Sequence, residues 1–139
     1  MLILVFYIDN QRYAIETKSI IEIVPLVQLT KLHQVPEYVA GIFNYRGAMV
    51  PVIDLSMMIQ GHVSPDYFST RIIIINFNND KFLGLMATKV TDTMKIELNQ
   101  LILPPITGDK ISYLGEVIND QQGIIQYLNL PNLFALVNH

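Results

Sequence analysis

When the first half of this chain is moved forward by about 70 residues, its apolar positions fall on those of the second half. Val5 meets Ile75, Tyr7 meets Phe77, Ala14 meets Gly84, Ile15 meets Leu85, Ile20 meets Val90 and Glu22 meets Asp92. Further along, the offset grows to about 75. There Met49-Val50 falls on Ile124-Ile125, and Ile53-Asp54-Leu55 on Leu128-Asn129-Leu130. Gly41 meets Gly115 one residue short. A repeat governs architecture, because one unit then folds twice. β-type segments also match one another by chance, so a single unrepeated fold stays open at this point. Under duplication, the chain is two similar units, 1–65 and 66–139, free to exchange terminal strands. About five short strands per unit, with regular turns, suit a small antiparallel barrel that hides its sheet edges.

The local pattern agrees. Leu2 to Ile8 reads as a strand, Asp9-Asn10-Gln11 as its turn, and Arg12 to Glu16 as the returning strand. Thr17-Lys18-Ser19 is a turn or short helical cap before the apolar run Ile20 to Val24. Gly41 to Gly47 and Ala48 to Asp54 form a hairpin pattern, in which Pro51 predicts an edge strand or a bulge. Leu55 to Gln60, closed by Gly61, predicts one or two helical turns. Residues 62–70 are the most loop-like stretch. Strands are predicted again at Arg71–Phe77, Lys81–Ala87 and Val90–Ile96, with a turn at 78–80. Tyr113–Ile118 and Gly123–Leu128 make a last hairpin, and Asn129–Val137 a short final helix.

Composition narrows the function classes. Half of the residues, 51%, are apolar and only 15% are charged, which excludes a disordered tail. Twelve acids face nine bases, for a net charge of -3, and the lysines are scattered, which disfavours phosphate-backbone binding. The absence of cysteine removes disulfides, thiolate metal sites and a thiol nucleophile. No two of His33, His62 and His139 have metal-ligand spacing. The apolar start ends at Asp9 and lacks a basic leader and a small-residue cleavage site, so no signal peptide is expected. No run approaches the roughly 20 apolar residues of a bilayer span. The expectation is a soluble cytoplasmic protein without cofactor or metal.

The most specific segment is Gly41-Ile-Phe-Asn44-Tyr-Arg46-Gly47-Ala-Met-Val-Pro51-Val-Ile-Asp54-Leu55. It is a strand, a turn that needs glycine, and a strand that carries a proline. Arg46 stands at the turn, and Glu22 lies in an earlier strand. A lone turn arginine is ordinarily a surface residue. The sharper reading pairs Arg46 with Glu22 beside an apolar docking groove, where such a pair gives orientation and specificity.

This segment resembles the CheW family of bacterial chemotaxis coupling proteins. The likeness is carried by Gly41-x-x-Asn44-x-Arg46-Gly47 followed by Val50-Pro51-Val-Ile-Asp54-Leu55. Tyr13-Ala14-Ile15 with Ile20-x-Glu22-Ile23-Val24 supports it, as do Val35-Pro36-x-Tyr38, Gly84-Leu85 and Tyr113-Leu-Gly115. The resemblance implies a mostly β fold: two small five-stranded, SH3/OB-like barrels packed around a shared apolar core, with short helical segments. It implies a non-catalytic adaptor that couples a chemoreceptor's cytoplasmic hairpin tip to the regulatory domain of a CheA-type histidine kinase, at membrane receptor arrays. Ile20, Glu22, Ile23 and Arg46 would lie at the receptor-side groove, and Gly41, Asn44, Gly47, Pro51 and Asp54 would be structural. That regulatory domain is itself CheW-like, so weak self-association is also allowed. Ala87-Thr88, Asn129 and Tyr45, which stands where leucine is usual, depart from the family pattern. They keep open a paralogue in a pilus-motility or surface-sensing pathway.

Two rivals remain. His33, Asp54 and Ser56 can be written as a catalytic triad, but there is no nucleophile elbow or phosphate loop around them, and Asp54 reads better as a helix cap. Small barrels also bind single-stranded nucleic acid, and seven Tyr and six Phe offer stacking surfaces. The scattered bases argue against it.

Overall fold

A computed structural model describes residues 1–76, 81–105 and 111–137. In chain order the strands are β1 (Leu2–Ile8), β2 (Gln11–Glu16), β3 (Ile20–Pro25), β4 (Val39–Tyr45), β5 (Ala48–Asp54), β6 (Arg71–Asn76), β7 (Phe82–Ala87), β8 (Lys89–Lys95), β9 (Leu114–Asp120) and β10 (Gly123–Leu128). Two short helices, α1 (Leu55–Gln60) and α2 (Leu130–Val137), each follow a hairpin. The fold is mostly β, as the sequence patterns predict. Phe77 and the predicted turn at 78–80 lie outside the described residues.

The strands form two five-stranded sheets, ordered β8-β1-β2-β10-β9 and β3-β6-β7-β5-β4. Substituting β6 for β1, β7 for β2, β8 for β3, β9 for β4 and β10 for β5 turns one order into the other. The match extends to register. Each sheet holds one parallel pair, in which Ala14 lies opposite Tyr127 and its counterpart Gly84 lies opposite Val52. The repeat read from the sequence is therefore a repeat of structure.

The compact units are Met1–Lys18 with Thr91–His139, and Ser19–Val90. They do not follow a division at 65/66. β6 and β7 complete the sheet of β3, β4 and β5, and β1 and β2 complete that of β8, β9 and β10. A cut at 65 would strip β3–β5 of the run Ile72–Ile75, whose four side chains are all fully buried. That run has no polar alternation because both of its faces are covered.

Within Ser19–Val90, the core gathers Tyr45, Val50, Val52, Ile72, Ile74 and Met86. Within the other unit it gathers Ile3, Val5, Ala14, Ile96, Ile118 and Ile125. Each sheet is also turned toward closure by one bridge between its two ends. Thr30, beyond β3, exchanges backbone bonds of 2.9 and 2.8 Å with Ile42 of β4. Ile102, beyond β8, does the same with Val117 of β9, at 3.0 and 2.8 Å. Such closure removes the exposed edges that a flat sheet would offer to other chains.

Pro51 does not mark an edge strand. β5 runs between β7 and β4. In the two-residue hairpin, Ala48 and Val50 face Tyr45 and Phe43, and bonding to β4 alternates along the strand, so the Pro51 nitrogen points to the β7 side. Pairing with β7 begins only at Val52, so no ladder bond is lost.

Asp54 ends β5 and starts α1. Its Oδ1 accepts from the amides of Ser56 (3.0 Å) and Met57 (3.3 Å), and its Oδ2 from the amide of Ser64 (2.9 Å). It is thus an N-cap and also a tie to the following loop. Asp54→Ala is expected to destabilise the fold by about 1 to 2 kcal/mol, read as a lower urea midpoint. Asn129, the repeat counterpart of Asp54, keeps the cap on α2 by accepting from the Asn132 amide at 2.9 Å. The departure from an acidic residue there retains the local structure.

Candidate functional site

The β4–β5 hairpin turns at Arg46 and Gly47, which take φ of +50° and +85°. Two positive φ values in a two-residue loop suit the right-handed twist of the flanking strands, and glycine accepts the second without a side-chain clash. Asn44 Oδ1 accepts from the Gly47 amide at 3.0 Å and secures the turn. The turn places Arg46 at the end of the sheet, where its side chain reaches β3. There Arg46 Nη2 lies 3.0 Å from Glu22 Oε1. The pair read from the sequence is formed.

Glu22 also accepts a hydrogen bond from the Tyr45 hydroxyl, at the same Oε1. The Arg46 guanidinium lies over the Tyr45 ring, 5.2 Å from its centroid. That ring meets Phe43 and Phe82 edge-on, at 6.4 and 6.1 Å. The hydrogen bond to Glu22, with a smaller share from desolvation, raises the phenol's pKa; the charge of Arg46 works against this. Ile20 and Ile23 flank Glu22 on β3. Ile20 is half-buried, whereas Ile21 and Ile23 are exposed. The site is therefore a charge pair with an aromatic base; the exposed Ile23, opposite Ile73, lies on the other face of β3 from Glu22, opposite Ile74.

Sequence reasoning missed two features. Tyr45 was visible only as a departure from leucine, and nothing local tied it to a strand 23 residues away. The second is a fork in the other unit. Arg12, 8% exposed, donates to both oxygens of Asp120, at 2.9 and 2.5 Å. The repeat relates Arg12 to Phe82 and Asp120 to Tyr45, so one place in the fold is ionic in one unit and aromatic in the other. Offsets of about 70 and 75 expose this correspondence, once they are applied to polar as well as apolar positions.

Within Ser19–Val90 there is also a cleft of about 540 Å³, lined by Leu26, Leu29, Leu32, Met57, Val63 and Met86 among others. Ile20, Glu22, Ile23 and Arg46 do not line it. The triad written on paper does not assemble. Both Asp54 oxygens hold backbone amides, the Ser56 hydroxyl faces His62 Nδ1 at 3.3 Å, and His33 stands exposed. Among the described residues, no group of three or more His, Cys, Asp or Glu is placed to hold a metal ion, and no helix is long and apolar enough to cross a membrane.

The molecule is a β module built twice on one plan, with a charge pair at a hairpin turn. The family model described as the CheW-like domain matches residues 2–138, and the chain belongs to that family. It is 29% identical to the chemotaxis protein CheW of Helicobacter pylori over 73% of this chain, and 31% identical to that of Klebsiella aerogenes over 70%. Those stretches span 61% and 58% of the two relatives' lengths. The CheW of Thermotoga maritima is 26% identical over 94% of this chain and 85% of its own. The crystal structure of the scaffolding protein TtCheW from Thermoanaerobacter tengcongensis superposes with a TM-score of 0.82, at 27% identity, over 93% of this chain and 84% of that one.

Proposed function

We propose that this chain is a non-catalytic cytoplasmic adaptor that couples the cytoplasmic hairpin tip of a chemoreceptor to the regulatory domain of a CheA-type histidine kinase. The carrying observation is the Glu22–Arg46 pair, formed at the β4–β5 turn in a chain of the CheW-like family. Relatives named chemotaxis protein CheW, and a solved relative named a scaffolding protein, support the same reading. A receptor tip is an amphipathic helical hairpin. It lays an apolar face on exposed aliphatics, and a neighbouring charge pair fixes its orientation.

The pair itself adds little stability, since Arg46 and Glu22 are 74% and 38% exposed. Arg46→Glu is therefore expected to leave the melting temperature nearly unchanged. It sets two carboxylates side by side and weakens binding of a receptor hairpin-tip fragment by about tenfold or more. Adding Glu22→Arg restores the pair in reversed order and recovers part of the binding. Loss of the cooperative melt in Arg46→Glu would make the residue structural and remove it from the docking site.

A further inference from the structure

Glu22 and Arg46 are long side chains on different strands, and an exposed pair of this kind ordinarily spends its attraction on lost rotamer freedom. Tyr45 changes that. It is 9% exposed, and its ring is wedged edge-on against Phe43 and Phe82. From this fixed ring the hydroxyl donates to Glu22 Oε1, while the guanidinium of Arg46 rests over the ring face. Both donors converge on the same carboxylate oxygen, Glu22 Oε1. One rigid side chain thus holds both members of the pair. Packing alone does not need the hydroxyl, because phenylalanine fills the same space.

We propose that Tyr45 is a positioning residue, which pre-sets the Glu22–Arg46 pair in the geometry that a helical receptor tip meets. This rests on the receptor-docking reading above. Side chains ordered before association need not be ordered during it, so affinity is gained without a new contact to the partner.

The test is Tyr45→Phe in the full chain, titrated against a receptor hairpin-tip fragment, with thermal melts and binding to a CheA-type regulatory domain measured in parallel. The melt and the kinase-domain affinity are expected to stay as in the unsubstituted chain, while receptor-tip affinity falls about three- to tenfold. In a Glu22→Ala background, Tyr45→Phe is expected to cost nothing further, because no carboxylate is left to hold. Unchanged receptor-tip affinity in Tyr45→Phe overturns the proposal, and so do losses that simply add across the two substitutions. A large drop in melting temperature overturns it as well, by making Tyr45 a packing residue. An unsubstituted, folded chain that fails to bind the receptor tip at all removes the docking reading, and this proposal with it.

Discussion

Gly41→Ala is expected to destabilise the protein by about 3 kcal/mol, more than any single change at the charge pair. Gly41 has φ of +155° at a register shift in β4, opposite Val52. A Cβ there would lie 2.7 Å from the Thr30 carbonyl oxygen and 2.9 Å from Leu29 Cβ. The Thr30 oxygen cannot retreat freely, because it accepts the Ile42 amide at 2.8 Å in the bridge that draws the sheet ends together. Relief therefore requires breaking the bridge, and the amides of Thr30 and Ile42 should lose hydrogen-exchange protection along with global stability. The repeat supplies the control. Gly115, the counterpart of Gly41, has only Leu103 Cδ2 near its absent Cβ, at 3.8 Å. Gly115→Ala should change stability by less than about 1 kcal/mol, as fits an exposed position with open space. Equal effects at the two glycines, measured by urea unfolding, would contradict the close-approach account.

Asp120→Asn is the second large effect. It leaves the Arg12 guanidinium, almost wholly removed from solvent, without its countercharge. Breaking one side of such a pair costs about 2 kcal/mol at neutral pH, less than the roughly 3–5 kcal/mol of a fully buried pair because Asp120 itself keeps some solvent contact. The pH dependence fixes the sign. The hydrogen bond from Arg12 holds the Asp120 carboxyl below the usual carboxylate range, aided by the Gln122 amide and opposed by desolvation. A carboxylate with a lowered native pKa contributes stability above its unfolded pKa and loses it as pH falls through the native value. The stability gap between the unsubstituted chain and Asp120→Asn should therefore be full at pH 7 and shrink on acidification below about pH 4. A gap that holds constant to low pH would show that Asp120 acts through its neutral hydrogen bonds alone.

These two effects mark the border between what the sequence made legible and what it did not. Strand positions were legible because each strand carries its own signal. The continuous run Ile72–Ile75 announced a strand covered on both faces, and Asp54 before Leu55 announced a cap. The Glu22–Arg46 pair was one of two readings of a turn arginine, suggested by opposite charge, and the structure forms it. Partner choice between distant strands was not. The parallel pairs β2–β10 and β5–β7 join segments far apart in the chain, and period-2 alternation says nothing of which strand lies alongside. That is why the 65/66 division does not match the compact units, and why, of the two readings of Pro51, the edge strand is absent while the β4–β5 pairing does carry a register shift, between Val39 and Gly41. Arg12 and Asp120 escaped notice for the same reason. They are 108 residues apart and meet only because the first hairpin lies in a sheet with the last.

The Tyr45 contacts show a further limit. A single aromatic residue in place of leucine reads, in sequence, as a conservative core change. In the fold its hydroxyl reaches Glu22 and its ring face carries Arg46. That position thus contacts both members of the charge pair, and the series Tyr, Phe and Leu there separates hydroxyl from ring.

Calorimetric titration of the folded protein with the regulatory domain of a CheA-type kinase from the same organism decides whether this chain is an adaptor. An adaptor should give saturable one-to-one binding with a dissociation constant of about 1 μM or tighter, the strength of a specific, reversible interface. A chain that melts cooperatively and yet binds no such domain from that organism would contradict the adaptor role and leave the CheW-like fold without the partner assigned to it.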